Sequence, residues 1–291
     1  CTMSLYPTAP FSFDGTVHKP SHFPSSDNNY EEGVFWQTMQ FDGRIFGIKM
    51  TNKGSIDNPH IEIDIYADEE ISLDELERLS DEIEYRYDMK ANLSDFYDKF
   101  ADDEILEPIF KRWRGMRVMV NVSLYEFLVI ATVLQNATVK RSKQMLENLF
   151  ERYGSRVIYD SRELSVFWTP EVIYRTSEEE LRDLKVGYRA KHFKRQAELF
   201  VCGEINEFHL RTQPSDKLKE MLINIYGIGP ASVWYLMFEI FKRYDALDYI
   251  SPWEQKIYSR LLFEEAFVDT KIILDKIRTK WGEWRMLAVH Y

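Results

Sequence analysis

Residues 222–230 read LINIYGIGP, and the amphipathic stretches 214–225 and 230–244 surround them. The pattern predicts a helix, a tight turn through Gly227 and Gly229, and a second helix with a proline in its first turn. Glycine permits such a turn and lets another backbone approach closely. The N–H groups that begin the second helix have no partner inside it and carry the positive end of its dipole, so the turn is a candidate anion site.

Two interpretations of this turn are open. A helix-hairpin-helix of this kind grips a DNA phosphate with main-chain amides, whereas the alternative is a plain corner between two helices. A single GxG between helices would favour the corner, but the LxxxxGIGP pattern ahead of a long amphipathic helix is more specific. Residues 222–257 are therefore the candidate functional region of the chain.

The composition excludes several classes of protein. Of the 291 residues, 45% are hydrophobic and 15% are aromatic, which is enough to bury a large core and argues against disorder. The two cysteines, Cys1 and Cys202, do not make a disulfide scaffold, so an intracellular location is expected, cytoplasmic (nucleoid-associated) or nuclear. No apolar segment approaches the ~20 residues of a membrane span, and no export signal is recognised.

The net charge of −11 conceals an asymmetry along the chain. Residues 1–110 carry a net charge of −16, and residues 111–291 carry a net charge of +5. We expect any polyanion to bind the back half, although two solvated faces without a partner would give the same charges.

The front of the chain has the pattern of an antiparallel sheet, and the rest has a helical period. Asp42-Gly43 is a strong two-residue hairpin signal, and residues 20–32 look like a loop. The predicted strands cover residues 11–18, 33–41, 44–51 and 60–67. Capping boxes begin helices at Ser72 and Ser177. The amphipathic stretches cover residues 93–113, 123–134, 138–153, 188–202, 214–225, 230–244 and 252–264.

These patterns predict an α+β fold. An N-terminal antiparallel β domain is expected over residues 1–105. A two-lobed all-helical region is expected over residues 106–291, with the helix-hairpin-helix at 215–244.

Longer segments resemble a known family. The segment LINIYGIGPASVWYLMF (222–238), followed by ISPWEQKI (250–257), resembles the helix-hairpin-helix-GPD superfamily of DNA glycosylases. LKVGYRAK (184–191) resembles a segment of 8-oxoguanine DNA glycosylases, and WGEWRMLA (281–288) resembles a motif of 3-methyladenine DNA glycosylase II. The β domain resembles the N-terminal domain of both. The resemblance implies three domains, with DNA gripped by the helical lobes and the damaged base turned out into the cleft between them.

The resemblance also assigns roles to residues. The main-chain N–H groups of Gly227, Gly229 and Ala231 match those that hold a phosphate. Tyr188 matches the wedge that fills the gap left by a flipped base, where stacking offsets part of the unstacking cost. Tyr235 matches a tyrosine of the base pocket. The residues of 8-oxoguanine DNA glycosylases that contact the widowed cytosine, the base opposite the flipped one, correspond to Asn136, Arg141 and Arg189. A monovalent cation, Na⁺ or K⁺, is implied at the main-chain carbonyls of Ile223, Ile225 and Ile228.

Each side chain also has a structural alternative. Tyr188 could be an ordinary aromatic at a helix start, Arg141 could lie on a solvated helix face, and Asn136 could cap the end of a helix. The three residues together fit a single binding pocket better than they fit three unrelated structural roles. No other cofactor is expected, because the sequence has no zinc spacing, P-loop or dinucleotide fingerprint.

The sequence departs from the family at two positions. Ala231 stands where lyase-type members have the Schiff-base lysine, so no β-lyase chemistry is expected there. Ser251 stands where the family has an aspartate that stabilises the sugar cation or activates water, which a neutral hydroxyl cannot do. Asp248 and Glu254 are the candidate substitutes, although each could be a surface or capping carboxylate. In the second case Ser251 and Glu254 would form a capping box.

We therefore expect a monofunctional DNA glycosylase of base excision repair, a hydrolase acting as a monomer on double-stranded DNA that carries a damaged purine. The segment around Tyr188 favours oxidised guanine, whereas the missing lysine and Tyr235 favour alkylated purines. The alternative is a glycosylase-like protein that has lost its chemistry and binds damaged or abasic DNA. A third interpretation is a helical module whose hairpin contacts proteins only.

Overall fold

The computed structural model describes residues 1–19 and 23–291. Its five-stranded antiparallel sheet has the order β1-β5-β4-β3-β2. The strands are β1 (Thr2–Leu5), β2 (Asn28–Glu31), β3 (Val34–Phe41), β4 (Arg44–Asn52) and β5 (Ile61–Tyr66). The predicted hairpin joins β3 to β4, since Phe41 pairs with Arg44 across Asp42 and Gly43, which both have positive φ. The strands predicted over 33–41, 44–51 and 60–67 are thus confirmed.

Two expectations for the front of the chain are wrong in part. Residues Phe13–Val17 form a helix, α1, and not a strand, because the Ser12 side chain caps it by accepting from the Gly15 N–H at 3.3 Å. The predicted loop over 20–32 contains strand β2, which pairs with β3. Residues 20–22 of that loop lie outside the described part of the chain.

One face of the sheet and helix α2 (Leu73–Arg86) share a hydrophobic core. Ile61, Ile63 and Ile65 of β5 are at most 2% exposed, and Leu79 and Ile83 of α2 are fully buried. The three isoleucines of β5 alternate with partly exposed residues, which is the pattern of a half-buried strand.

Helices form most of the remaining chain, and the predicted fold class is confirmed. They are α3 (Ser94–Lys99), α4 (Leu106–Trp113), α5 (Leu124–Leu134), α6 (Val139–Tyr153), α7 (Pro170–Arg175), α8 (Glu178–Leu181), α9 (Arg189–Val201), α10 (Glu207–Arg211), α11 (Ser215–Ile223), α12 (Pro230–Glu239), α13 (Pro252–Phe263), α14 (Thr270–Trp281) and α15 (Arg285–His290). The stretch 93–113 is two short helices and not one. A π-helical turn, Arg182–Val186, and a 3₁₀ turn, Gly282–Trp284, complete the helical elements of the described residues.

A two-stranded hairpin, β6 (Ser155–Tyr159) and β7 (Arg162–Val166), interrupts the helices. This hairpin was not predicted from the sequence. Tyr159 packs over Gly47 of β4, where a β-carbon would lie 2.6 Å from the ring. The Tyr159 hydroxyl donates to the Gln37 carbonyl at 2.7 Å, so the hairpin is attached to the sheet face opposite α2.

The chain divides into two compact units. The first contains Cys1–Asp95 and Trp113–Glu207, and the second contains Phe96–Arg112 and Phe208–Tyr291. The helix-hairpin-helix belongs to the second unit, and the wedge candidate Tyr188 belongs to the first. The boundary expected near residue 105 stays a prediction.

Asp160 at the tip of the β6–β7 hairpin gives a pH-dependent prediction. Its carboxylate lies 2.9 Å from Lys49 Nζ and accepts from Trp36 Nε1 at 2.7 Å, and these two bonds lower the pKa of Asp160. A lowered pKa in the folded state stabilises the fold above the unfolded-state value of about 4, and this stabilisation is lost as pH falls through the folded-state value. We expect Asp160→Asn to cost about 1 kcal/mol of unfolding free energy at neutral pH.

Urea unfolding of both proteins at neutral and acidic pH checks this expectation. The difference between the two unfolding free energies should shrink as pH falls from about 4 towards the lowered pKa of folded Asp160, because protonation of the carboxylate removes the stabilisation. An equal difference at both pH values would show that the ion pair does not contribute.

Candidate functional site

The turn between α11 and α12 has the geometry of an open anion site. Gly227 has φ of +84°, which glycine adopts without strain, and the Ile228 N–H donates to the Ile225 carbonyl at 3.0 Å. Gly229 is the N-cap residue of α12, and its carbonyl accepts the Val233 N–H at 3.1 Å. Since this is the first bond of the helix, the N–H of Ala231 has no acceptor within α12.

The surface at Gly229 is sterically open. A β-carbon placed on Gly229 would meet no heavy atom within 4 Å. The opposite side of the hairpin is anchored, because Leu222 of α11 and Leu236 of α12 are fully buried. The hairpin therefore has a buried apolar side and a glycine turn with open space at Gly229, and phosphate binding there stays a prediction.

The carbonyls predicted to bind a monovalent cation belong to the same turn. Ile225 and Ile228 are buried, whereas Ile223 is 39% exposed. The Ile225 carbonyl accepts one N–H bond and keeps a second lone pair. Carbonyl oxygens suit Na⁺ and K⁺, so this donor set fits the ion, and the cation site stays a prediction.

Glu254 is held at the start of α13 by contacts within its own helix and with α12. Ser251 is the N-cap residue, and its N–H donates to Glu254 Oε2 at 2.8 Å, while its hydroxyl donates to the same oxygen at 2.5 Å. The capping box read from the sequence is therefore present. The other oxygen, Oε1, accepts from the Tyr235 hydroxyl of α12 at 2.7 Å.

Two phenols surround this carboxylate. Burial and then the hydrogen bond to Glu254 raise the pKa of Tyr235 well above its usual value. Burial and then the charge of Glu254 raise the pKa of Tyr258, which lies one helical turn further along α13. Both phenols therefore keep their protons at neutral pH, and Tyr235 acts as a donor to the carboxylate.

Asp248 has different surroundings. Its Oδ1 lies 3.3 Å from Arg278 and 3.9 Å from Arg285, and its side chain is 38% exposed. These two arginines neutralise the carboxylate at the α14–α15 end of the second unit. The structure does not bring Asp248 into the Ser251–Glu254–Tyr235 contacts, so of the two candidates Glu254 has the surroundings of a positioned group.

In the first unit, Tyr188 stands at the end of a firmly held loop. It is 46% exposed and directly precedes α9, after Lys185 and Gly187, which both have positive φ. Successive carbonyls of the loop accept side-chain bonds, Leu184 from Asn148 at 3.0 Å and Lys185 from Arg141 at 2.5 Å. A held loop that presents an aromatic ring to solvent is suited to a wedge.

The three residues expected at the widowed cytosine gather around this loop. Asn136 has φ of +48° and donates to the Tyr188 hydroxyl at 3.3 Å. Arg189 is 7% exposed, donates to the Thr132 carbonyl at 3.0 Å and also to the Gln135 carbonyl, and lies 4.7 Å from the Tyr188 ring centre. Proximity to the wedge candidate is thus observed, whereas the contacts to cytosine stay predictions.

Two residues of the candidate site, Asn148 and Tyr258, were not predicted from the sequence. Asn148 follows Arg141 by two turns of α6, so a shared helix face was the available signal. Tyr258 follows Glu254 by four residues on α13, which is the same kind of signal.

Among residues 1–19 and 23–291, no group of three or more His, Cys, Asp or Glu side chains could hold a metal ion. None of the helices in this part of the chain has the length and apolar character needed to cross a bilayer.

A comparison with known protein families identifies a helix-hairpin-helix superfamily, in agreement with the turn between α11 and α12. Residues 129–277, just over half of the chain, match the model of the HhH-GPD superfamily of base excision DNA repair proteins. The chain belongs to this superfamily. The matched range includes Tyr188, the turn between α11 and α12, and Glu254.

Individual relatives share low sequence identity with this HhH-GPD protein. A probable N-glycosylase/DNA lyase of Methanothermobacter thermautotrophicus is 21% identical over an alignment of 271 positions, which covers 87% of this chain and 83% of the relative. The 3-methyladenine DNA glycosylase of Archaeoglobus fulgidus has a TM-score of 0.77 at 17% identity, covering 98% of this chain and 95% of the other.

A third similar structure is that of a DNA complex. The Clostridium acetobutylicum 8-oxoguanine glycosylase/lyase, bound to double-stranded DNA with cytosine opposite 8-oxoguanine, has a TM-score of 0.74 at 17% identity, covering 98% of this chain and 94% of the other. At these identities the structural likenesses establish the fold.

Proposed function

We propose that this protein is a monofunctional DNA glycosylase, which turns a damaged purine out of double-stranded DNA and hydrolyses its N-glycosidic bond. The observation that carries the proposal is the Glu254 carboxylate, held by Ser251 and Tyr235 at the helix start where the family has an aspartate. Relatives named for 8-oxoguanine and for 3-methyladenine support a damaged purine as the substrate class.

Hydrolysis of the N-glycosidic bond requires few catalytic groups. Departure of the base leaves an oxocarbenium-like sugar, which a nearby carboxylate stabilises electrostatically or supplies with an activated water. Glu254 is the group for this task. The position of the lyase lysine is Ala231, so water and not an amine would take the place of the base, and the DNA strand would remain uncleaved.

DNA would be held by two features in this proposal. The amides at Gly229 and Ala231 would bind a phosphate with the positive end of the α12 dipole. Tyr188 would fill the gap left in the stack, and its loop is already held by Asn148 and Arg141.

Base release tests the proposal directly. The protein is incubated in excess with duplexes that carry a single 8-oxoguanine opposite cytosine or a single alkylated purine. We expect mass spectrometry to detect the free damaged base and gel electrophoresis to detect an intact strand with an abasic site. Free base together with a cleaved strand would contradict the monofunctional assignment, and no free base from any duplex would contradict catalysis.

A second candidate function is binding of damaged or abasic DNA without chemistry. The neutral Ser251 favours it, because the family carboxylate is absent at that position and Glu254 already has a structural role as the capping-box partner of the serine. Salt-dependent binding of abasic duplex, with no base release from either duplex, would identify this function.

A further inference from the structure

The Tyr235 hydroxyl makes a contact that a role in the base pocket does not explain. It donates to Glu254 Oε1 at 2.7 Å and so connects α12 to α13 across 19 residues of sequence. We propose that Tyr235 is a positioning residue, which holds the Glu254 carboxylate for base release through this bond. The inference rests on the proposed function.

The contact completes a set that fixes both carboxylate oxygens. Oε2 accepts from the Ser251 N–H and hydroxyl, at 2.8 Å and 2.5 Å, and Oε1 accepts from Tyr235. The two Ser251 bonds cap the helix, whereas the Tyr235 bond comes from a different helix and is not needed for capping. Each carboxylate oxygen has two lone pairs, so Oε1 keeps one for a water or a sugar atom.

The direction of the bond is set by protonation. Burial, the hydrogen bond to Glu254 and the charges of Glu254 and Glu239 all raise the pKa of Tyr235, so the phenol keeps its proton. The phenol is therefore the donor and the carboxylate oxygen the acceptor. Loss of the hydroxyl should leave the orientation of the Glu254 carboxylate less well fixed.

Tyr235→Phe removes the hydroxyl and keeps the ring, so packing and any stacking on a base are retained. We expect kcat for base release to fall about tenfold, with KM within about twofold of the wild type. A fall in kcat without a matching change in KM is expected of a residue that orients the catalytic group, whereas a merely structural tyrosine would leave kcat unchanged.

Tyr174→Phe is the matched control. Tyr174 is 41% exposed and Tyr235 is 40% exposed, and Tyr174 lies on α7 in the first unit. We expect Tyr174→Phe to leave kcat and KM unchanged. An unchanged kcat in Tyr235→Phe, with an active wild type, would overturn the positioning role.

A double-mutant cycle on unfolding separates this inference from the proposed function. Tyr235→Phe should lower the folding equilibrium constant about tenfold in the wild type but by less than about twofold in a Glu254→Ala background. Tyr174→Phe should have the same effect in both backgrounds. Equal effects of Tyr235→Phe in both would overturn the contact, whatever the activity. Coupling in a wild type that releases no base would overturn the proposed function and the positioning role, and would leave the contact as a packing feature.

Discussion

Glu254→Gln is expected to slow base release by about 10²–10³-fold, the usual cost of losing one preorganised electrostatic group. The glutamine keeps the size of the side chain, its carbonyl oxygen can accept from the Ser251 N–H, and its amide N–H can donate to the Tyr235 hydroxyl, so the start of α13 should remain folded. What it lacks is the negative charge that stabilises the cationic sugar. Single-turnover kinetics on lesion duplex measure the loss without interference from product release.

Asp248→Asn is the control for this experiment. Asp248 is the other candidate carboxylate, but it pairs with Arg278 and Arg285 and lies outside the Glu254 contacts. We expect base release within about threefold of the wild type. A large loss in Asp248→Asn together with normal activity in Glu254→Gln would mean that Asp248 is the catalytic carboxylate.

Arg86→Met is expected to destabilise the protein by about 3–5 kcal/mol, the usual cost of removing one partner of a buried ion pair. Arg86 is 4% exposed, and its Nε donates to Glu82 Oε1 at 2.7 Å. It also donates to the Asn121 carbonyl at 3.1 Å, and the charges of Glu126 and Glu207 act on it. Without Arg86, Glu82 and Glu126 would lose the charge that offsets their burial.

Urea unfolding checks this value, with two further variants. The double variant Arg86→Met/Glu82→Leu should recover much of the loss, because it replaces the whole pair by apolar groups. Arg156→Met removes an arginine whose side chain is 61% exposed and should change the unfolding free energy by less than about 0.5 kcal/mol. Equal losses in Arg86→Met and Arg156→Met would show that burial of the pair is unimportant.

Local patterns predicted the elements whose signal lies within a few residues. The alternation over 60–67 and the Asp42-Gly43 turn gave strands β3, β4 and β5, and the helical period gave α5, α6, α9 and α13. The capping box at Ser251 was also readable, since it needs only four consecutive residues. In each case the physical cause is local hydrogen bonding and one-sided burial.

Errors arose where a short aromatic segment has no decisive period. Residues 11–18 contain enough β-favouring residues to suggest a strand, but the Ser12 cap makes a five-residue helix. The β6–β7 hairpin was missed although Asp160 and Ser161 lie between two alternating runs, which is a recognisable hairpin signal. Its stability comes from Tyr159 packing on Gly47, a contact over more than a hundred residues.

The candidate site was predictable in its residues but not in its contacts. The sequence presented Asp248 and Glu254 as equal alternatives, because both lie three residues from Ser251. They differ only through tertiary partners: Arg278 is 30 residues from Asp248, and Tyr235 is 19 residues from Glu254. Such partners depend on how helices pack, which periodicity alone does not determine.

The central claim is that the main-chain amides around Gly229 hold a DNA phosphate, and one pair of variants tests it. Aspartate and asparagine are both favourable N-cap residues, Gly229 has an extended backbone, and a side chain there has open space. Both variants should therefore fold. Only the aspartate places a negative charge on the site.

Equilibrium binding of an abasic duplex is measured for Gly229→Asp and Gly229→Asn over a range of salt concentrations. We predict that Gly229→Asp binds about tenfold or more weakly than Gly229→Asn at low salt, with a smaller difference as salt screens the repulsion. Equal affinities of the two variants at every salt concentration would contradict the claim.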